Sequence, residues 1–289
     1  MRSRKYIFSF LVILISITTQ SCAQNADKVQ NKSKSLTAKD SIKLNKYFDI
    51  LEKLPLFSQR RGLYIDSVLI LTPQSAYLWQ QRAMPLFKQK KYEIGMKYLD
   101  NAVKFDTSRY LDYRAFMKCI FSKNYAESIS DFKAIKQKKG NSFVMDHSYD
   151  FYMGLCYLQL NKLDSAEYLI VKTIEEEKKS RSDETWIHHL HWFYLGIVFF
   201  EKENNEKAIE YFDKCLKLNP NFSDAKYYKA ICLENLGKEK EALGLMLEAG
   251  KDFDRGYTIN EDNAIYEMYP YQINKFYIKA YVEKLQEAK

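Results

Sequence analysis

Four pairs of small residues, Ala83 with Gly95, Gly154 with Ala166, Gly196 with Ala208 and Ala230 with Ala242, recur at one fixed separation of twelve positions. Small side chains at a constant offset are what two antiparallel helices need in order to cross closely, because bulk at the crossing sets the distance between the axes. Each pair spans two stretches of helical hydrophobic period joined by a short polar turn, at Lys90-Lys91, Asn161-Lys162, Asn204-Asn205 and Gly237-Lys238. The chain therefore reads as a series of helical hairpins. With only nine Gly and five Pro against 23 Tyr and 18 Phe, it lacks the turn punctuation that a many-stranded sheet would need.

The sharpest hairpin lies between His189 and Phe222. It carries Trp192, Phe193, Tyr194, Leu195 and Gly196 in its first helix, then Ala208, Phe212, Cys215 and Pro220. This pattern resembles the tetratricopeptide repeat, which has aromatic, Leu, Gly and Ala landmarks at matching offsets. The resemblance implies an all-α, right-handed helical-hairpin solenoid of about five to six repeats with C-terminal capping helices. Trp79 precedes Ala83 by the same interval that separates Trp192 from Gly196, while Ser41 to Lys53 and Phe57 to Pro73 supply an earlier hairpin. Tyr110 to Asn141 reads as another unit whose first helix, around Ala115 and Phe116, is one residue out of register. Extra residues at 139–146 and 179–185 are expected to be longer loops or helix extensions. After Gly256 the pattern changes, and Glu261 to Met268 and Tyr271 to Gln286 are expected as two helices separated by Pro270 that cover the last repeat.

The N-terminus carries an address. Arg2, Arg4 and Lys5 precede an apolar stretch from Tyr6 to Ile17 that is too short for an ordinary spanning helix. Thr19-Gln20-Ser21-Cys22 resembles a bacterial lipoprotein cleavage box, which implies lipidation of Cys22 and a place on the periplasmic face of an outer membrane. Ser21-Cys22-Ala23 also fits an ordinary signal-peptidase site, which would release a soluble periplasmic protein. The expected organisation is a signal peptide over 1–21, a disordered tether over 22–40, the solenoid over 41–256 and capping helices over 257–289. Cys119, Cys156, Cys215 and Cys232 show no C-x-x-C spacing and read as buried side chains, although an oxidising compartment would allow a Cys215 to Cys232 disulfide.

No Gly-rich phosphate loop, nucleophile elbow or H-E-x-x-H motif is present, so the sequence names no catalytic residue, cofactor or metal. The net charge of +8 is interspersed with acids along the helices, which argues against nucleic acid as a partner. His188 and His191 share a helix face beside His189, but without an assignable third ligand they read as ordinary helix-start residues. The family resemblance places a binding groove on the first helices of the repeats, where Tyr77, Gln80, Phe151, Phe193 and Tyr227 are the candidate lining residues. A protein or peptide partner in that groove, with membrane attachment through Cys22, is the expected function. The rival expectations are assembly of outer-membrane or cell-wall machinery through the convex surface, and glycan binding by the aromatic groove.

Overall fold

The computed structural model describes residues 38–180 and 186–287. The signal segment, Cys22, most of the tether and part of the 179–185 stretch lie outside the described residues. Among the described residues the chain is all-α apart from one small hairpin, and its helices pair in sequence order. They are α1 (Ala38–Lys53) with α2 (Gln59–Leu71), α3 (Ala76–Lys88) with α4 (Tyr92–Phe105), and α5 (Thr107–Ile120) with α6 (Tyr125–Lys139). The next pairs are α7 (Tyr149–Gln159) with α8 (Leu163–Ser180), α9 (His189–Glu201) with α10 (Asn205–Leu218), and α11 (Ser223–Asn235) with α12 (Glu239–Asp254). A last helix, α13 (Lys275–Glu287), packs on α12 and brings Ile278 and Leu285 into the terminal core with Met246 and Leu233.

The small residues are buried at the contacts between helices. A Cβ added to Gly196 would lie 2.6 Å from the Phe212 ring, one added to Gly154 would lie 2.9 Å from Ile170, and one added to Gly95 would lie 2.9 Å from Phe87. Ala83, Ala166, Ala208, Ala230 and Ala242 are fully buried. In two hairpins the side chain that fills the space left by glycine is therefore one helical turn beyond the paired alanine, Phe212 after Ala208 and Ile170 after Ala166. In the third hairpin the buried Ser128 takes the place of the alanine, and its hydroxyl donates to the Ala115 carbonyl at 2.8 Å. Ser128 follows Ala115 by thirteen positions, one more than the separation in the other hairpins.

The turns inside the last five hairpins share one device. Lys90, Lys123, Asn161, Glu203 and Gly237 each have positive φ. Gly237 adopts that conformation without strain and Asn161 with little, whereas the longer side chains of Lys90, Lys123 and Glu203 cost roughly 1–2 kcal/mol there. Ion pairs then knit successive helices across the stack. Arg114 holds Asp131 with two 2.8 Å hydrogen bonds and reaches Asp100 at 2.8 Å, and Lys226 meets Asp252 at 2.6 Å.

First helices of neighbouring hairpins touch directly, α3 with α5, α5 with α7, α7 with α9 and α9 with α11. The second helices meet the next hairpin chiefly through its first helix. The layer whose members are closest together lies on the inside of the bend, so the first helices form the inner layer.

Two stretches depart from expectation. The extra residues at 139–146 belong to a two-stranded antiparallel hairpin, β1 (Phe143–Val144) with β2 (His147–Ser148), which ends directly at α7. Residues 261–268 form turns instead of a helix, with Asn263 at positive φ. Polar side chains from other parts of the fold take up main-chain carbonyls along this segment, which offers a nonhelical backbone the partners it needs. The four cysteines are buried and free, so Cys215 and Cys232 are not joined.

Candidate functional site: a strap over the inner layer and a histidine cluster beneath it

Between α12 and α13, residues 257–274 run back across the inner layer as a strap. Asp224, fully buried at the start of α11, accepts hydrogen bonds from the Thr258 hydroxyl at 2.8 Å, the Ile259 N–H at 3.1 Å and the Ile273 N–H at 2.9 Å. Burial pushes its carboxyl up to about 6, although those three donors pull the other way. Farther along, the Tyr194 hydroxyl donates to the Pro270 carbonyl at 2.9 Å, and Lys123 donates to the Met268 carbonyl at 2.6 Å. Glu267 accepts from the Tyr92 hydroxyl and pairs with Lys90 and Lys123, while Lys88 stands 4.5 Å from the Tyr266 ring centre. Ile259, Tyr269 and Ile273 are each no more than 3% exposed. The strap is thus part of the core and spans five hairpins, from α3/α4 to α11/α12.

Under the strap lie all four histidines of the chain. Glu177 of α8 accepts from His191 Nδ1 at 2.9 Å. His191 Nε2 faces His147 Nδ1 at 3.2 Å, and His147 Nε2 faces Glu261 of the strap at 3.0 Å. His188 stacks edge-on to His147 with ring centres 4.8 Å apart and brings its Nε2 to 3.8 Å from the other Glu261 oxygen. Burial, followed by the charge of neighbouring imidazoles, pulls the His188 imidazole down to about 3. Burial likewise takes His189 to about 4, against the pull of Glu261. Burial alone would raise the Glu261 carboxyl, but its hydrogen bond with His147 and the surrounding imidazoles hold it below the ordinary carboxylate range.

Sequence reading saw three of these histidines as a helix start. It missed His147, 44 residues before His191, and Glu261, 114 residues after His147. The signal available in the sequence was the unexplained insertion at 139–146, which is the stretch that delivers His147.

The candidate groove residues separate into two groups. Tyr77 is 50% exposed, Gln80 and Tyr227 are partly exposed, and all three remain on or near the surface. Phe151 and Phe193 are fully buried and do not line an open groove. Phe151 is covered by the His147 ring at 4.3 Å and by Tyr194 at 5.6 Å, while Phe193 is enclosed by Phe212, Phe222 and Tyr228 at 5.2–6.1 Å. Phe151 is closed off by the β-hairpin that delivers His147, and Phe193 by packing between its own hairpin and the next.

What stays open is the N-terminal end of the inner layer. A cleft of about 140 Å³ is lined by Phe48, Leu51, Arg61, Tyr77 and Leu78, together with Glu52, Ile65 and Gln81. Arg61 keeps its Nη1 buried there without a hydrogen-bond partner among the described residues. Phe48 is 41% exposed beside it. No helix among the described residues is long and apolar enough to cross a membrane.

Residues 190–222 and residues 211–244 each match a tetratricopeptide repeat family. Over 52 residues the chain is 40% identical to an uncharacterised protein of Methanocaldococcus jannaschii, a match covering 18% of this chain and 60% of that relative. Among solved structures, a tetratricopeptide repeat protein from Parabacteroides merdae superimposes with a TM-score of 0.57 at 16% identity, covering 85% of this chain and 98% of that one. PilW, described as a widely conserved type IV pilus biogenesis factor, superimposes with a TM-score of 0.56 at 13% identity over 75% of this chain and 95% of its own. At such identities the likeness is one of fold.

Proposed function

We propose, from the premise that this chain is a tetratricopeptide-repeat protein, that it is a non-catalytic scaffold of the cell envelope which holds a peptide segment of a partner protein at the N-terminal end of its inner layer. The observation that carries this reading is the cleft around Tyr77 and Phe48, which the strap leaves uncovered. Solenoids recognise extended or helical segments through such faces, with aromatic side chains as anchors. Tyr77 offers a rigid ring for an apolar side chain, and Arg61, whose Nη1 is unpartnered, offers a donor for a main-chain carbonyl. In this reading Cys22 carries the lipid that holds the scaffold on the periplasmic side of an outer membrane, as residues 1–23 suggest.

A photo-crosslinking residue at Gln80, introduced into the full chain in cells, is expected to yield a discrete adduct. Tyr77→Ala should weaken capture by roughly tenfold or more, as loss of a central aromatic anchor does, while leaving the melting temperature unchanged. The same crosslinker at Tyr168, exposed on α8 of the outer layer, should yield no such adduct. Adducts of equal strength from Tyr168 would transfer the function to the convex surface. In parallel, Cys22→Ala is expected to move the protein from the membrane fraction to the soluble fraction. A variant that still sediments with membranes would remove the lipid anchor from this reading.

A further inference from the structure

We propose that His147, His188 and Glu261 bind a single divalent transition metal ion of the zinc type, which clips the strap to the fourth and fifth hairpins. One donor atom from each of the three lies within 4.8 Å of the others. Zinc with nitrogen and oxygen ligands at about 2.0–2.1 Å in tetrahedral geometry spaces its donors about 3.3 Å apart. His147 Nε2 stands 3.0 Å from one Glu261 oxygen, and His188 Nε2 stands 3.8 Å from the other. Small side-chain rotations would close a shell around an ion.

The hydrogen-bond relay behind these three groups calls for a cation at that place. Glu177 at 2.9 Å fixes the proton of His191 on Nδ1, which leaves His191 Nε2 as an acceptor. His147 must then keep its proton on Nδ1 to donate across the 3.2 Å contact to His191. The consequence is a bare lone pair on His147 Nε2 pointing at a carboxylate oxygen 3.0 Å away, in a place where the two side chains are only 1% and 10% exposed. Two neutral imidazoles supply two protons, yet the chain Glu177, His191, His147, Glu261 contains three contacts. One more positive charge is needed to fill the last of them.

A metal ion meets that need more completely than a proton on His147. A proton would serve the contact with Glu261 but leave His188 Nε2, 3.8 Å from the other Glu261 oxygen, without a role. An imidazole that ligates a metal characteristically donates its other N–H to an acceptor that fixes its tautomer, and the His147 to His191 to Glu177 relay is an arrangement of that kind. The His188 side chain is 38% exposed, which provides an entry path and room for a water in the fourth position. Two imidazoles and one carboxylate, with no all-oxygen cage, select zinc and its neighbours over calcium or magnesium. The three ligands come from β2, the start of α9 and the strap, so the ion would join segments that no local structure connects.

The test uses the full chain purified without a histidine tag, loaded with zinc and then dialysed against metal-free buffer. Retention of stoichiometric zinc, visible absorption bands on substitution with cobalt, and a rise in melting temperature of about 5–10 °C at a hundredfold excess over Kd are expected. His188→Ala, at the rim, should abolish all three and leave the melting temperature of the metal-free protein nearly unchanged. Glu177→Gln should weaken zinc binding about 10–100-fold with every ligand still in place. Should His188→Ala fail to fold, Glu261→Gln carries the same comparison, since it keeps the volume of the side chain. Equal zinc content and equal thermal shifts in the wild type and the ligand variant would overturn the site and assign the missing charge to a proton.

Discussion

Replacing Gly196 with leucine is expected to destabilise the protein by about 3 kcal/mol or more, at or beyond the upper end for overpacked cores. A Cβ at this position already lies 2.6 Å from two carbons of the Phe212 ring, and leucine adds three further carbons behind it. Phe212 cannot retreat, because it is fully buried and hemmed in by Phe193 at 6.1 Å and Tyr228 at 6.4 Å between ring centres. The helices α9 and α10 must separate, and the aromatic core on both sides loses contact. The melting temperature should fall by about 6–12 °C, or the protein should fail to accumulate in folded form. Gly244 provides the control, since an added Cβ there meets nothing within 4 Å. Gly244→Ala, inside α12, should be neutral or stabilising by roughly 0.5–1 kcal/mol. A melting temperature for Gly196→Leu within about 2 °C of the wild type would show that these helices do not cross there.

Ending the chain after Gly256 is expected to have the largest effect of all. The truncation removes Ile259, Tyr269, Ile273, Ile278 and Leu285, each no more than 5% exposed. Complete burial of a large apolar side chain stabilises by about 1.5–3 kcal/mol, so the gross loss is on the order of 10 kcal/mol before the ordering entropy of the segment is set against it. Asp224 loses its three donors while remaining part of the α11 start, and Tyr194 loses its acceptor. The truncated protein should self-associate in size-exclusion chromatography with light scattering and lose a cooperative thermal transition. Ending the chain after Asn274 keeps the strap and removes only α13, and should be milder. If the shorter chain stayed monomeric and melted as the wild type does, the strap would be a peripheral ornament.

The contrast between these two predictions marks what the sequence could reveal. Gly196 and Ala208 belong to a pattern that repeats locally, and periodicity exposes it because each hairpin solves the same crossing problem with the same residue types. The cap was legible to the extent that α13 obeys an amphipathic period. The strap was not. Residues 261–268 have enough apolar content to suggest a helix, but the backbone of the strap to which they belong takes partners from Lys123 at Met268, Tyr194 at Pro270 and Asp224 at Ile273, which no local rule connects to it. Phe151 and Phe193 were misplaced because a residue on a first helix is open only if neither an inserted loop nor the next hairpin covers it. Glu261 gains its meaning solely from His147 and His188, and a single sequence carries no record of that meeting.

The strap also changes what sort of folding unit the array is. A plain stack of repeats touches only nearest neighbours, so it can fray from either end while the rest stands. Here Tyr92 meets Glu267 across 175 positions, Lys123 meets Met268 across 145, and His147 meets Glu261 across 114. Opening the last hairpin therefore pulls contacts away from four others, and the five strapped hairpins must melt as one body. The same closures are the slowest to form, because long loops have to be drawn in before their contacts are made. During synthesis the strap leaves the ribosome after every hairpin it covers, and until it arrives the inner layer stands unroofed, with the rings it will cover open to whatever binds them first.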